Sequence, residues 1–470
     1  MPGGDRNWTI TPTLLWFAGI LGVGLCVLDG SVQAVADRFT TPRGTDDEPA
    51  ATPSSGPMFA KKPTVVADKG VAPAYEKPAP PPDAPKGDRT HMGALEDICL
   101  DGTPTACKRW GMDGFYKSVV ANKAGKLGRP VRISWFGDSV IATDHIPGRL
   151  RTKMQAELGN GGPGFIFMLP PHKFCGHEAI VRSWNGGWNT YGISTFQIPD
   201  GLYGVGGSSV DTYGGNVSIK LVAGTASRAE LYYLAQPKGG RATVKADGAE
   251  IVRAETAGDA KAAAWAVGTV PAGAKKFDIN AEGAVRLFGI DLENAAGAVV
   301  DNLGIVSVNV GSFTNTNVTH WAEELGHRNA DLVMIMIGAN EAQWLNPGDG
   351  DTKTYQARYE KVLAPMKKGR PDGACLVVSP TDQAYAGDGH YPSRPVMPYL
   401  VEAQRKAALA TGCAFFSTYN WMGGKGSAAK WFAGGLVGTD FQHLTPSGAN
   451  KLADAVYETL MAGYRRYAGT

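Results

Sequence analysis

Three short stretches of this chain carry side chains that together could act on an ester: "GDS" at 137–139, "GAN" at 338–340 and "DFQH" at 440–443. Acyl transfer needs a nucleophile, a base to take its proton, a group that orients the base, and donors for the oxyanion. Ser139 offers the first, His443 the second and Asp440 the third, while Asn340 and the Ser139 backbone N–H offer donors. The spacing from Asp440 to His443 lets both side chains enter one site from a single loop. Each signal is weak alone. Asn340 is also a common turn residue, and Asp440 or His443 could cap the helix that follows.

These residues need elements to position them. Val131 to His145 reads "VRISWFGDSVIATDH", an apolar, β-branched run that stops at Gly-Asp-Ser, as a strand feeding a tight turn does. In open α/β sheets, ligands bind at such carboxyl ends. Helix-like "MDGFYKSVVANKAG" precedes this strand and "IPGRLRTKMQAELG" follows it. The same alternation returns later: "VVDNLGIVSVNV", helix-like "THWAEELGHRNA", "DLVMIMIGANEA", helix-like "TYQARYEKVLAPMKKG", "ACLVVSP", helix-like "YLVEAQRKAALATG" and "AFFSTYN". This predicts a mainly parallel sheet covered on both faces. A last helix begins at Thr445, which can cap it, with Pro446 in the first turn.

Between 172 and 297 the helical periodicity vanishes. Short alternating runs such as "NVSIKLVAG", "RAELYYLAQ" and "RATVKADG", separated by Gly or Asn turns, predict an all-β sandwich inserted into the α/β domain. Ser139 precedes the insert, whereas Asn340, Asp440 and His443 follow it. The chain therefore divides into 1–36, 37–90, 91–171, 172–297 and 298–470, the third and fifth parts forming one domain.

The amino end points to export. Ile10 to Leu28 is uncharged and apolar, long enough to cross a bilayer. Its shorter core, Leu14 to Leu28, is also the size of a signal-peptide core, with an Ala34-x-Ala36 cleavage pattern downstream. Either reading places the rest outside the cytoplasm, in the periplasm or at the cell surface, held to the inner membrane through 10–28 if uncleaved. Residues 37–90, rich in Pro, Ala and Ser, read as an extended tether. Cys99 and Cys107 flank a turn-forming loop, and Cys375 and Cys413 each begin an apolar run. Both pairs could bond in an oxidising compartment or stay free, while Cys175 is left alone.

With a net charge of +2 and no basic run interleaved with aromatics, nothing points to a nucleic-acid partner. No His-x-x-x-His spacing suggests a metal among His145, His172, His177, His320, His327 and His390, and no cofactor is expected. His145 is a candidate for lining the site.

The three stretches in this order resemble the SGNH (GDSL) hydrolase superfamily, whose first block is Gly-Asp-Ser, third Gly-x-Asn and fifth Asp-x-x-His. The resemblance spans roughly 128–170 and 298–468. More narrowly, "GDSVIATDH", "LGNGGPGF", "FGIDLENAAGAVVDNLG" and "IGANEA" resemble peptidoglycan O-acetylesterases and related polysaccharide acetylation enzymes, which also carry a carbohydrate-binding-like β-sandwich inserted here. The resemblance implies an α/β three-layer sandwich with a mainly parallel sheet, and catalytic roles for Ser139, Asp440 and His443. It also implies an oxyanion hole from Ser139, Asn340 and a second-block N–H. For the last, "LGIVSVNVGSF" has no clean match: Gly311 is the choice, with Gly304 and Val308 as competitors.

The implied activity is a serine esterase that removes O-acetyl groups from a polysaccharide such as peptidoglycan. The alternatives are an O-acetyltransferase using the same triad and a non-catalytic glycan-binding protein. Trp184, Trp188 and Tyr191 in "WNGGWNTYG" are candidates for stacking on sugars, with core packing as the competing role.

Overall fold

The computed structural model describes residues 89–385 and 389–469. The 10–28 segment, the Ala36 cleavage pattern and nearly all of 37–90 lie outside the described residues. Among those described, no helix is long and apolar enough to cross a membrane.

The strand that leads to Ser139, Val131–Gly137, lies inside a seven-stranded sheet, between Ala298–Gly304 on one side and Leu332–Met336 on the other. Ala374–Val378 and Ala414–Phe416 extend the sheet, and these five strands are all parallel. Leu95–Glu96 and His91–Met92 close one edge antiparallel. A parallel strand is covered on both faces, so its sequence reads as continuous apolar residues, as "LVMIM" and "ACLVV" do.

Successive side chains leave a strand on opposite faces, which divides the core in two. Phe136, Ile335, Val377 and Phe415 pack on one face with Trp321, Leu363 and Leu400 from the helices Val318–Arg328, Asp349–Gly369 and Met397–Ala410. Ile133, Trp135, Met334 and Leu376 pack on the other with Phe115, Leu150 and Leu452 from Asp113–Lys123, His145–Leu158 and Pro446–Ala468. The result is a three-layer α/β sandwich. The last helix starts as the sequence predicts: Gly448 N–H donates to Thr445 Oγ1 (3.2 Å), and Pro446 occupies the first turn. This leaves Asp440 and His443 free of capping.

The insertion is all-β, a nine-stranded antiparallel network organised on two long strands, Ser208–Leu221 and Lys276–Glu293. Lys276–Glu293 pairs along its first half with Arg241–Ala246 and along its second with Arg228–Ala235. The register between Ser208–Leu221 and Lys276–Glu293 shifts between Glu282 and Val285, so the network turns and its inward side chains, Val217, Ile219, Leu231, Val244, Ile279 and Leu287, share one core. Gly164–Phe167 also joins this network, beside Gly289–Leu292, although its position in the sequence assigns it to the α/β part.

Insert and α/β layers share buried charge. Arg328 donates to both oxygens of Asp301 (2.8 and 2.8 Å) and to Asp291 (3.1 Å) and Glu293 (2.8 Å). Arg132 in turn holds Glu293 through two hydrogen bonds (2.8 and 2.6 Å). Such a network, with every ion paired, is tolerated in an interior that would reject any member alone. It joins the insert's long strand to two strands of the parallel sheet.

Both cysteine pairs are bonded, Cys99–Cys107 across its loop and Cys375–Cys413 between neighbouring strands, and Cys175 is free.

Candidate active site

The parallel strands end together, and the turns that leave them carry the chemistry. At the end of Val131–Gly137 the buried Asp138 caps a short helix, Ser139–Ala142, with Val140 N–H donating to its carboxylate (3.0 Å). Ala339 N–H also donates to that carboxylate. Asp138 therefore ties the serine turn to the neighbouring "GAN" turn. Burial pushes its carboxyl up to about 6, against the pull of these N–H groups and of His443. Gly137 is required here, since a Cβ would meet the Ile141 side chain at 2.3 Å.

Ser139 Oγ donates to His443 Nε2 (2.7 Å), and His443 Nδ1 donates to Asp440 Oδ2 (2.5 Å). The other oxygen of Asp440 accepts the backbone N–H groups of Gln442 and His443, both at 3.0 Å. One carboxylate thus shapes the loop and orients the imidazole. Phe441, at φ 55 and buried against Tyr391 and Phe432, anchors the loop from below. Burial works against a charged His443, but the bonded Asp440, aided by Asp138, outweighs it and holds the imidazole above its usual range. Burial likewise raises Asp440, and its bonds to His443 more than reverse this, so its carboxyl lies below the ordinary value.

The strand Leu332–Met336 leads into Gly338, at φ 121, and Asn340. Asn340 Nδ2 donates to Val308 O (2.8 Å), which leaves its second amide hydrogen available. The next residue, Glu341, was not singled out by the sequence. It is buried, accepts Val310 N–H on Oε1 (2.7 Å) and leaves Oε2 unpartnered. Burial, with Asp138 nearby, pushes its carboxyl up to about 7. Asn340 and Glu341 together clamp the 308–310 segment to the end of the sheet.

That segment corrects the second-block expectation. Gly311 N–H donates to Asn309 Oδ1 (2.8 Å), Gly304 N–H to Asn302 Oδ1 (3.0 Å) and Val308 N–H to Ile305 O (3.3 Å). All three are committed. The Ile305–Val308 turn instead holds Ser307 at φ 65, with a backbone N–H that has no acceptor among the described residues, and the carbonyl of the next residue, Val308, is the one that Asn340 holds. Ser139 N–H is likewise without an acceptor among the described residues. A search for Gly misses this turn because a Ser adopts the left-handed conformation here, at a strain of roughly 1–2 kcal/mol.

The structure joins Ser139, His443 and Asp440 in one hydrogen-bonded series and links it through Asp138 to the turn that bears Asn340. It does not bring Trp184, Trp188 or Tyr191 into that set. Trp184 is exposed on the strand Ile180–Gly186. Trp188 donates from Nε1 to Asn185 O (2.9 Å) and lies over Gly215, where a Cβ would meet it at 2.5 Å. Tyr191 packs against the core. His145 bonds Glu178 (2.8 Å), and burial pushes His177 and His320 down to about 4.

The family model for GDSL-like lipases and acylhydrolases matches residues 279–451, a span with Asn340, Asp440 and His443 but not Ser139. No curated protein sequence matches the chain. Among solved structures, a peptidoglycan O-acetylesterase aligns over 75% of this chain and 96% of its own, with a TM-score of 0.65 and 23% identity. A family two carbohydrate esterase from Clostridium thermocellum in complex with cellohexaose aligns over 60% of this chain and 99% of its own, with a TM-score of 0.26 and 11% identity. An acetyl xylan esterase aligns over 34% and 79%, with a TM-score of 0.27 and 15% identity.

Proposed function

We propose that this chain is an ester hydrolase that removes O-acetyl groups from a cell-wall or extracellular polysaccharide such as peptidoglycan, a reading supported by the GDSL-like lipase/acylhydrolase match over 279–451 and by the fold shared with a peptidoglycan O-acetylesterase. The observation that carries this reading is the series Ser139–His443–Asp440, 2.7 and 2.5 Å at its two links. His443, with its Nδ1 proton held by Asp440, takes the Ser139 hydroxyl proton at Nε2 as Oγ attacks the acetyl carbonyl. The oxyanion is met by the N–H groups of Ser139 and Ser307 and by the free amide hydrogen of Asn340. His443 returns its proton to the departing sugar oxygen, and water activated by the same base releases acetate from the acetyl-enzyme.

The polymeric substrate is supported by the insert's place. Ser194 Oγ, on the insert, donates to Val306 O (2.8 Å) within the turn that carries Ser307. O-acetylated peptidoglycan incubated with the full chain should release free acetate. Acetate that appears instead on an added chito-oligosaccharide would make the protein a transferase, and no change in either would sink the proposal.

We place this activity outside the cytoplasm. Two disulfides and the uncharged 10–28 run support that location, since such bonds persist in oxidising compartments. A reporter active only after export, fused behind residue 90, should work, and one active only in the cytoplasm should stay silent.

A further inference from the structure

Two cavities of about 520 and 480 Å³ open on the insert, and both are lined by the segment Ile198–Asp200. The first reaches Thr314–Asn317, just beyond the 308–310 segment, and the second reaches Asp211, Tyr213 and Lys261 on the sheet of the insert. Bordering the same Ile198–Asp200 segment, the two make a groove between the 314–317 segment and the inserted sheet.

Its charges are balanced within it. Arg286 donates to both oxygens of Asp200 (2.8 and 3.1 Å) and Lys261 to one (2.7 Å), while Asn189 donates to Asp211 (2.8 Å). What the groove offers a ligand is amide, hydroxyl and paired carboxylate groups. Such a lining suits neither a lone anion nor an acyl chain, and suits a molecule dense in hydroxyls.

One aromatic residue lines this groove, and another adjoins its wall in sequence. Tyr213, which lines the second cavity, is 85% exposed. Phe196, the neighbour of Gln197 on the wall of the first, is 82% exposed and sits at φ 47. An aromatic residue in the left-handed region is strained, and one this exposed recovers nothing by burial. The strain is held from outside Phe196. Gly192 and Thr195 exchange two backbone hydrogen bonds (3.0 and 3.2 Å), and Ile198 N–H donates to Tyr203 Oη (2.8 Å). Ile193 is buried in the core, and Asn315 Nδ2 donates to its carbonyl (2.9 Å). Folding gives no reason for this ring to be presented; a flat ligand face does.

We infer that the groove binds a saccharide chain, with Phe196 and Tyr213 as platforms for the C–H faces of its rings and the amide and hydroxyl groups of the wall as partners for its hydroxyls. This deepens the polysaccharide esterase reading and rests on it for the substrate class. Because Ser194 and Asn315 tie the same loop to the catalytic side, the groove holds the polymer in register with the reacting ester.

The test reads binding without turnover, so that loss of the groove and loss of the esterase reading stay separate. In the full chain carrying Ser139→Ala, retention on insoluble de-O-acetylated peptidoglycan is measured for the parent, for Phe196→Gly, for Tyr213→Ala and for both together. The double variant should bind about tenfold more weakly or worse, on the worth of two aromatic stacks. Phe196→Tyr should bind as the parent does. Phe196→Gly relieves the left-handed strain, so its Tm should stay level or rise while binding falls, which a merely structural Phe196 would not do. Equal retention of parent and double variant, or no retention of the parent, overturns the proposal.

Discussion

Ser139→Ala is expected to lower kcat for a small acetyl ester by roughly 10⁴- to 10⁶-fold with the fold unchanged. Only Ser139 Oγ contacts His443 Nε2, and no other hydroxyl among the described residues is bonded to that nitrogen. Ala removes one oxygen and breaks one side-chain bond, that to His443 Nε2. A sulfonyl fluoride should add its mass to the parent protein and not to the variant. Full activity in Ser139→Ala would end the nucleophile assignment. Asn340→Ala is a useful contrast within the same series. It removes one oxyanion donor and one anchor of the Val308 turn, so kcat should fall by roughly 10²- to 10³-fold while some acyl-enzyme still forms.

Asp440→Asn should cost about 10⁴-fold in kcat, and the geometry says why. Oδ1 of Asp440 accepts two backbone N–H groups, so an amide at this position keeps its oxygen there and turns its NH₂ toward His443 Nδ1. Nδ1 must then accept, the imidazole proton moves to Nε2, and Nε2 can no longer take the proton of Ser139.

The pH profile checks the same assignment. His443 works as a base only when neutral, so kcat/KM rises with pH through its pKa. Burial lowers that pKa, but the carboxylates of Asp440 and Asp138 outweigh it, and the acid limb should therefore lie above 6.5. In Asp440→Asn the largest attractive charge is gone and the burial remains, so the limb should move to lower pH. A limb that stays in place would mean that Asp440 does not act on the base.

Much of the α/β layer was legible because its period is local. Strands such as "LVMIM" are apolar throughout, their helices repeat at helical spacing, and Thr445-Pro446 marks where the last helix begins. The insert was legible as all-β for the same reason. Gly164–Phe167 was not, because a four-residue apolar strand has no period of its own and its membership depends on pairing with Gly289–Leu292, far along the chain.

The sequence by itself determined the residue types of the candidate site, Ser139, Asn340, Asp440 and His443, since acyl chemistry restricts each position to very few side chains and their place at strand ends follows from local patterns. Only the tertiary structure decided which backbone N–H groups are left unbonded among the described residues, and so which we propose for the oxyanion. That property belongs to the turn and not to the residue: Asn309 and Asn302 take the N–H groups of Gly311 and Gly304, while a left-handed turn leaves that of Ser307 unclaimed. Glu341 became visible in the same way, because a carboxyl that bonds Val310 from the next strand end has no local signature. The aromatics behave alike. Trp188 and Tyr191 are drawn into packing and Phe196 is pushed out of it, since exposure is set by what the rest of the chain places around a ring.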